Sequence, residues 1–264
     1  MSPVPAKKAL VTGAGRRLGR AMALTLAEEG HDVAIHYHGS AEAAEEVAGL
    51  IRGMGRQATT LQADLTSEAE VEPLIGLASE ALGGPLTCLI NNASAFDYDN
   101  IRTASRASWD RHMEANLRAP FLLTQLFAAQ APAAGTDERG EPLAHGLVVQ
   151  MLDQRVHKLT PEFMSYTISK LGLWAFTQTA AQALAPAVRV NAIGPGPTLQ
   201  GARQSDAHFA AQRRNTVLER GSNAEDICGA LRYFLGAKGV TGQLICTDGG
   251  QHLGWRTPDV QGVE

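Results

Sequence analysis

The sequence predicts an α/β fold of the doubly wound kind: one domain over residues 1–264, with a seven-stranded parallel sheet covered by helices on both faces. Three observations carry that expectation. Short apolar runs alternate with helical patterns from one end of the chain to the other. The strand cores AIHY, CLI, LVV and LIC are almost continuously apolar, as strands buried on both faces require. No Pro/Gly/Ser linker is long enough to divide the 264 residues, and no internal repeat is present.

Residues 9–12 form the first expected strand, followed by a glycine-rich turn and a helix over about 18–29 that Gly30 stops. Residues 32–37 are the second strand, and Ser40 caps an Ala- and Glu-rich helix ending near 53–55. Residues 58–63 are the third. Ser67 and Glu70 have the spacing of a capping box, and the helix they open ends at Gly83-Gly84-Pro85. The fourth strand is 87–92, and a long helix covers about 108–131. A fifth strand at 147–151, a helix at 166–185 and a sixth strand at 188–193 follow. Ser222 with Glu225 repeats the capping-box spacing before the last helix, and 244–247 is the seventh strand. Two segments break the rhythm. Residues 133–146 read as a surface loop. Residues 199–220 leave the carboxyl end of the sixth strand, where ligands of open α/β sheets bind, and are expected to form a substrate lid.

Composition narrows the partners. With 23 Lys+Arg against 27 Asp+Glu the net charge is −4, the pI is about 6.1, and no basic run exists, so nucleic acid is not an expected ligand. Hydrophobic residues at 44% and charged ones at 19% exclude a disordered chain. Cys88, Cys228 and Cys246 form no CxxC pair and read as buried free thiols of a reducing compartment. The N-terminus lacks a signal-peptide apolar core, and the longest uncharged stretches, 119–136 and 171–188, contain Gln, Thr and Pro. No membrane span is expected, and the protein is placed in the cytoplasm. The helix over 171–185 is apolar on most faces. One side has the sheet to cover it and the other calls for a second subunit, so a homo-oligomer is expected.

The chemistry concentrates at two places. After the first strand comes Thr12-Gly13-Ala14-Gly15-Arg16-Arg17-Leu18-Gly19, where glycines let backbone N–H groups approach a pyrophosphate at a helix N-terminus. An NAD site places Asp or Glu at the end of the second strand to hold the ribose 2′-OH. That stretch here reads His36-Tyr37-His38-Gly39-Ser40, without a carboxylate between Val33 and Ala41, and Arg16 and Arg17 stand in the loop. This favours NADP(H). His36 and His38 alternate along the strand, but no third metal ligand accompanies them; they read as adenosine-pocket wall, and no metal is expected. Further along, Tyr166 and Lys170 lie four apart at a helix start, on one face. An ammonium there is expected to lower the phenol pKa and ready Tyr166 for proton exchange with a substrate heteroatom while hydride moves to the adjacent carbon.

Together these motifs resemble the short-chain dehydrogenase/reductase family over nearly the whole chain, a family with a Rossmann fold. Further matches are Ala63-Asp64-Leu65, Ile90-Asn91-Asn92-Ala93, Asn116, the run from Asn191 to Gly196 and Asp248-Gly249-Gly250. The resemblance implies that Asp64 sits near the adenine and that Asn92 and Ala93 line the cofactor groove. It implies that Lys170 holds the nicotinamide ribose, that Pro195, Gly196 and Thr198 meet the carboxamide, and that Asn116 supports a relay water beside Lys170. Gly13, Leu18, Tyr37 and Leu65 complete the expected cofactor set. The family is usually dimeric or tetrameric through its two long helices, and a tetramer is favoured over a dimer.

Two departures narrow the resemblance. Arg17 stands at the middle glycine of the family's TGxxxGxG, and Asp153 stands thirteen residues before Tyr166, where the family has Ser. Both are features of the pteridine reductases within the family. By that resemblance Arg17 reaches cofactor phosphate and pterin, Phe96 stacks the pterin on the nicotinamide, Ser94 borders the slot, and Asp153 relays protons with Tyr166. Those enzymes have Arg where this chain has Gly39, which shifts the 2′-phosphate grip to Arg16, His38 and Ser40. A carboxyl also suits protonation of a ring nitrogen in C=N reduction, where a Ser hydroxyl suits a ketone oxygen. The expected activity is NADPH-dependent reduction of a pterin-like ring. The alternatives are a carbonyl reductase acting on a ketone or 3-oxoacyl thioester, and a non-catalytic NADP-binding protein.

Overall fold

The computed structural model describes residues 5–201 and 204–256. Seven parallel strands make the main sheet: β1 (Lys8–Val11), β2 (Asp32–Tyr37), β3 (Ala58–Gln62), β4 (Cys88–Asn91), β7 (Gly146–Met151), β8 (Val188–Pro195) and β9 (Leu244–Thr247). Their order is β3-β2-β1-β4-β7-β8-β9, so the winding reverses between β1 and β4. That reversal opens a crevice at the carboxyl ends of the strands.

Alternation along each strand sends side chains to two cores. Val11, Ile35, Ile90 and Val149 face α1 (Arg17–Glu28), α2 (Ala41–Gly53) and α9 (Ala224–Gly236), which supply Met22, Leu26, Ile51 and Phe234. Leu10, Ala34, Leu89 and Val148 face the other side, where Leu74, Leu123, Phe127 and Ala180 close the core. These come from α4 (Leu74–Ala81), α6 (Ala119–Gln130) and α7 (Met164–Leu184). Burying each of the Leu, Ile, Val, Met and Phe side chains among these contributes about 1.5–3 kcal/mol.

The strands lie within one or two residues of their expected positions, but several local expectations need correction. Ser40 and Ser67 occupy N-cap positions without making a side-chain cap bond. Glu70 does not complete a capping box either; its carboxylate accepts from the Asp64 backbone N–H at 2.8 Å. Pro73 divides that helix into α3 (Glu68–Val71) and α4. The last helix is capped one residue later than expected, by Asn223 with Asp226. Ser222 instead donates to the Thr247 carbonyl at 2.7 Å. The long helix starts earlier, as α5 (Arg106–Met113), and passes through a π turn (Glu114–Arg118) before α6. The 133–146 loop contains a small hairpin, β5 (Gly135–Thr136) with β6 (Pro142–Leu143). The expected lid contains α8 (Asp206–Arg214); its residues 202 and 203 lie outside the described residues.

Candidate active site

The glycine-rich loop is held from three sides. Thr12, buried, accepts through its hydroxyl from the backbone N–H groups of Asn92 and Ala93, at 2.9 and 3.0 Å. The Asn92 amide donates to the carbonyls of Thr12 and Gly13. The Gly13 N–H donates to His36 Nδ1 at 3.1 Å, and His36 Nε2 donates to the Ala63 carbonyl at 3.1 Å. Gly13 takes φ +62°, and a Cβ at Gly19 would lie 2.2 Å from the Gly13 carbonyl oxygen. The α1 N-terminus has no side-chain cap and no acidic residue in its first turn. Its free N–H groups and positive dipole end fit a pyrophosphate.

His36 does not face the crevice as a wall residue. It is 1% exposed, and both ring nitrogens are used inside the protein. Burial pushes its pKa down to about 4, so the ring is neutral. At the adenosine end, Arg16 and His38 are exposed and Tyr37 and Ser40 are partly so, while Leu65 is buried. His38 Nε2 lies 3.8 Å from Asp64 Oδ2. Two bonds from Thr66 hold the Asp64 carboxyl below its usual range. Arg16, His38 and Ser40 are the groups available there for a 2′-phosphate.

At the other end, Tyr166 and Lys170 project from the first turns of α7. Both are buried. The Tyr166 hydroxyl donates to Asp153 Oδ2 at 3.0 Å. Asp153 follows β7 and accepts from the Arg155 N–H at 2.9 Å. Lys170 Nζ donates to the Met151 carbonyl at 2.7 Å. Burial, reinforced by the Asp153 carboxyl, raises the phenol pKa well above its ordinary value. Here the expectation of a lowered pKa is corrected: the nearest ionisable partner of the phenol is an acid, and the ammonium is turned to a carbonyl. Burial also raises the Asp153 pKa and lowers that of Lys170 to about 8.

Phe96 stands beside this pair, its ring centroid 4.6 Å from that of Tyr166 in an edge contact. Phe163, at φ +56° just before α7, stacks on Phe96 at 4.4 Å with planes 7° apart. The Arg155 guanidinium covers Phe163 at 5.0 Å. Asn116 is fully buried in the π turn. Its oxygen accepts from the Ala95 N–H and the Ser94 hydroxyl, and its nitrogen donates to the Ala95 carbonyl and the Ser169 hydroxyl. That uses both acceptor sites and both donors of the amide. The side chain thus anchors the Ser94–Ala95 backbone.

A cavity of about 880 Å³ joins these parts, lined among others by Arg17, Leu18, Asn92, Ser94, Phe96, Asp153, Tyr166, Lys170, Pro195, Gly196 and Thr198. Leu199, Gln204, His208 and Phe209 close it from the lid side. Arg17, at φ +53°, donates to the carbonyls of Leu199 and Gln200 at 2.9 and 2.8 Å. Arg213 ties the far end of the lid to the carbonyls of Pro197, Gly221 and Ser222. Thr198 shares a hydroxyl–hydroxyl bond of 2.7 Å with Ser222. Phe163 and Arg155 also line the pocket; no motif marks their individual roles, since their contacts span separate segments.

Comparison with known proteins places this geometry. Residues 13–252 match the family model described as enoyl-(acyl carrier protein) reductase. A short-chain type dehydrogenase/reductase of Picea abies is 31% identical over 257 residues, covering 92% of this chain and 91% of that protein. The 3-oxoacyl-[acyl-carrier-protein] reductase FabG of Staphylococcus aureus is 31% identical over 252 residues, covering 94% and 98%. The crystal structure of FolM alternative dihydrofolate reductase 1 from Brucella canis, complexed with NADP, superposes with a TM-score of 0.89 at 43% identity, covering 98% of both chains. The glycine-rich loop at the sheet's reversal point and the buried Tyr166–Lys170 pair thus stand in a matching framework over almost the full chain, and the protein belongs to the short-chain dehydrogenase/reductase family.

Proposed function

We propose that this chain is an NADP(H)-dependent reductase of a pterin-like ring, of the dihydropterin or dihydrofolate type. The observation that carries the reading is the Tyr166–Asp153 bond at the foot of the Phe96 ring, on the cavity that Arg17 also lines. A carboxyl at this position serves protonation of ring nitrogen, and an aromatic wall suits a flat substrate. The likeness to the Brucella structure named for an alternative dihydrofolate reductase supports it.

The residues around the crevice fit NADP(H). The α1 N-terminus takes the pyrophosphate, and Arg16, His38 and Ser40 take the 2′-phosphate. Lys170 holds the nicotinamide ribose, and Pro195, Gly196 and Thr198 meet the carboxamide. NADPH, when bound, supplies the hydride. Tyr166, kept protonated by burial, delivers its phenolic proton to the ring nitrogen of the substrate. Asp153, with its raised pKa, carries the proton that restores the phenol. Closure of the lid over the pocket excludes water.

The protein is read as a cytoplasmic homo-oligomer, a tetramer before a dimer. The exposed Trp109, Phe121 and Ile168 on α5, α6 and α7 support the association, and light scattering measures it. No helix among the described residues is long and apolar enough to cross a membrane.

The test is NADPH oxidation with dihydrobiopterin, dihydrofolate and an acetoacetyl thioester in parallel. Turnover of either pterin above the thioester upholds the reading. The reverse selects carbonyl reduction, which the FabG relative favours. Tight NADPH binding with no turnover would select a non-catalytic role.

A further inference from the structure

Behind the pocket, two helices meet through a row of buried polar side chains. His112 and Asn116, four apart, face Ser165 and Ser169, also four apart. His112 Nδ1 lies 2.6 Å from the Ser165 hydroxyl, and the Asn116 nitrogen lies 3.2 Å from that of Ser169. Each serine directly precedes a pocket residue, Tyr166 or Lys170. One turn of α7 thus presents one polar pair to the seam and the next to the site.

From the seam the bonds run into the segment that carries Phe96. His112 Nε2 accepts from the Asp97 N–H at 3.0 Å. Asn116 holds Ala95 through both its N–H and its carbonyl. Asp99 accepts from the Ser165 N–H at 3.1 Å, from the Ser165 hydroxyl, and from the Ser108 hydroxyl at 3.1 Å. The backbone on either side of Phe96 is therefore fixed while its ring stays 42% exposed. The protons have one consistent arrangement. Because Nε2 must accept from Asp97, the imidazole proton sits on Nδ1 and is donated to Ser165, whose own proton goes to the Asp99 carboxylate. His112, Asn116, Ser165, Ser169 and Asp99 are all at most 1% exposed. Five such groups stay buried at low cost only while every bond is made.

We propose that His112 is a positioning residue: through the Asp97 backbone it sets the orientation of Phe96, and so governs how tightly the ring substrate is held. The inference rests on the reading of Phe96 as a wall of the substrate site. A merely stabilising seam would lower stability without discriminating substrate from cofactor.

The test compares His112→Leu and His112→Gln, each with and without Phe96→Ala. Steady-state kinetics with dihydrobiopterin, NADPH fluorescence titration and amide hydrogen exchange over residues 94–100 are the readouts. His112→Leu is expected to raise the KM for dihydrobiopterin about tenfold, the effect of a lost buried hydrogen bond, with NADPH affinity within about twofold of wild type. Exchange at the Asp97 amide should speed up. Gln, which keeps an acceptor and a donor, should restore KM to within about threefold. In the Phe96→Ala background His112→Leu should add nothing to KM. Should the Leu variant fail to fold, Ser165→Ala cuts the same chain one link away and is expected to give the same pattern.

An unchanged KM, a parallel loss of NADPH affinity, or the full effect persisting without Phe96 would overturn the proposal. If wild type reduces only the acetoacetyl thioester, the proposed function falls, and the same variants read on the thioester decide this inference separately. If wild type turns over neither, the Asp97 exchange decides it: unchanged exchange in His112→Leu overturns the role.

Discussion

The Gly13 N–H donates to His36 Nδ1, so the cofactor loop depends on a histidine that must stay neutral. Desolvation holds the pKa of His36 at about 4, and that of His31, buried beneath α1, at about 4 as well. Both lie below the unfolded value, so the unfolded chain binds more protons and stability falls as pH drops through the window from about 6.5 to 4. Between pH 7 and 5 each histidine should cost about 2 kcal/mol of stability. Urea denaturation at the two pH values measures the sum, and His36→Gln should remove about half of it.

Gly19 is where the loop and α1 touch. A Cβ there would meet the Gly13 carbonyl oxygen at 2.2 Å and the Asn92 amide at 2.6 Å, neither free to move. Gly19→Ala is expected to cost about 3 kcal/mol and to lower NADPH affinity by more than about tenfold. Gly39→Ala, with nothing within 4 Å of its Cβ, is the matched control and should change neither.

Tyr166→Phe should abolish turnover and leave NADPH binding intact, as read by fluorescence titration. Asp153→Asn keeps an acceptor for the phenol and removes the carboxyl proton. It should lower kcat for a pterin by about 10² or more, the contribution of a positioned proton donor. Equal kcat in Asp153→Asn and wild type would remove Asp153 from the proton path.

Arg17 connects the loop to the tip of the lid through the carbonyls of Leu199 and Gln200. Arg17→Met should speed tryptic cleavage within residues 199–220 and raise the KM for substrate about tenfold. NADPH at saturation should fail to protect the lid of the variant, although it protects that of wild type.

The sheet and its crevice were legible because buried parallel strands leave unbroken apolar runs, and the glycine-rich start stands between a strand and a helix, the context that dinucleotide binding needs. Local caps were less legible. Ser67 and Ser222 carry the right spacing, but tertiary partners took their acids or hydroxyls: the Asp64 N–H drew off Glu70, and the Thr247 carbonyl drew off Ser222. The sign of the Tyr166 shift is set first by the burial of the phenol and then by the Asp153 carboxyl beside it. Spacing showed Lys170 one turn away, and the resemblance set Asp153 beside Tyr166, but neither shows how deeply the fold buries the phenol. The His112–Ser165–Asp99 chain joins three segments, so no local pattern announces it.

The π turn at Glu114–Arg118 has a consequence for how this helix is counted. A π turn holds an extra residue relative to an α turn, so α5 and α6 are rotated against each other although the chain runs through both. Removing one residue there would restore a regular helix and swing all of α5 by about 100°, carrying His112 away from Asp97 with no change in side-chain identity. The aim of α5 is stored in chain length, and comparison with any relative across this segment has to count residues before it compares them.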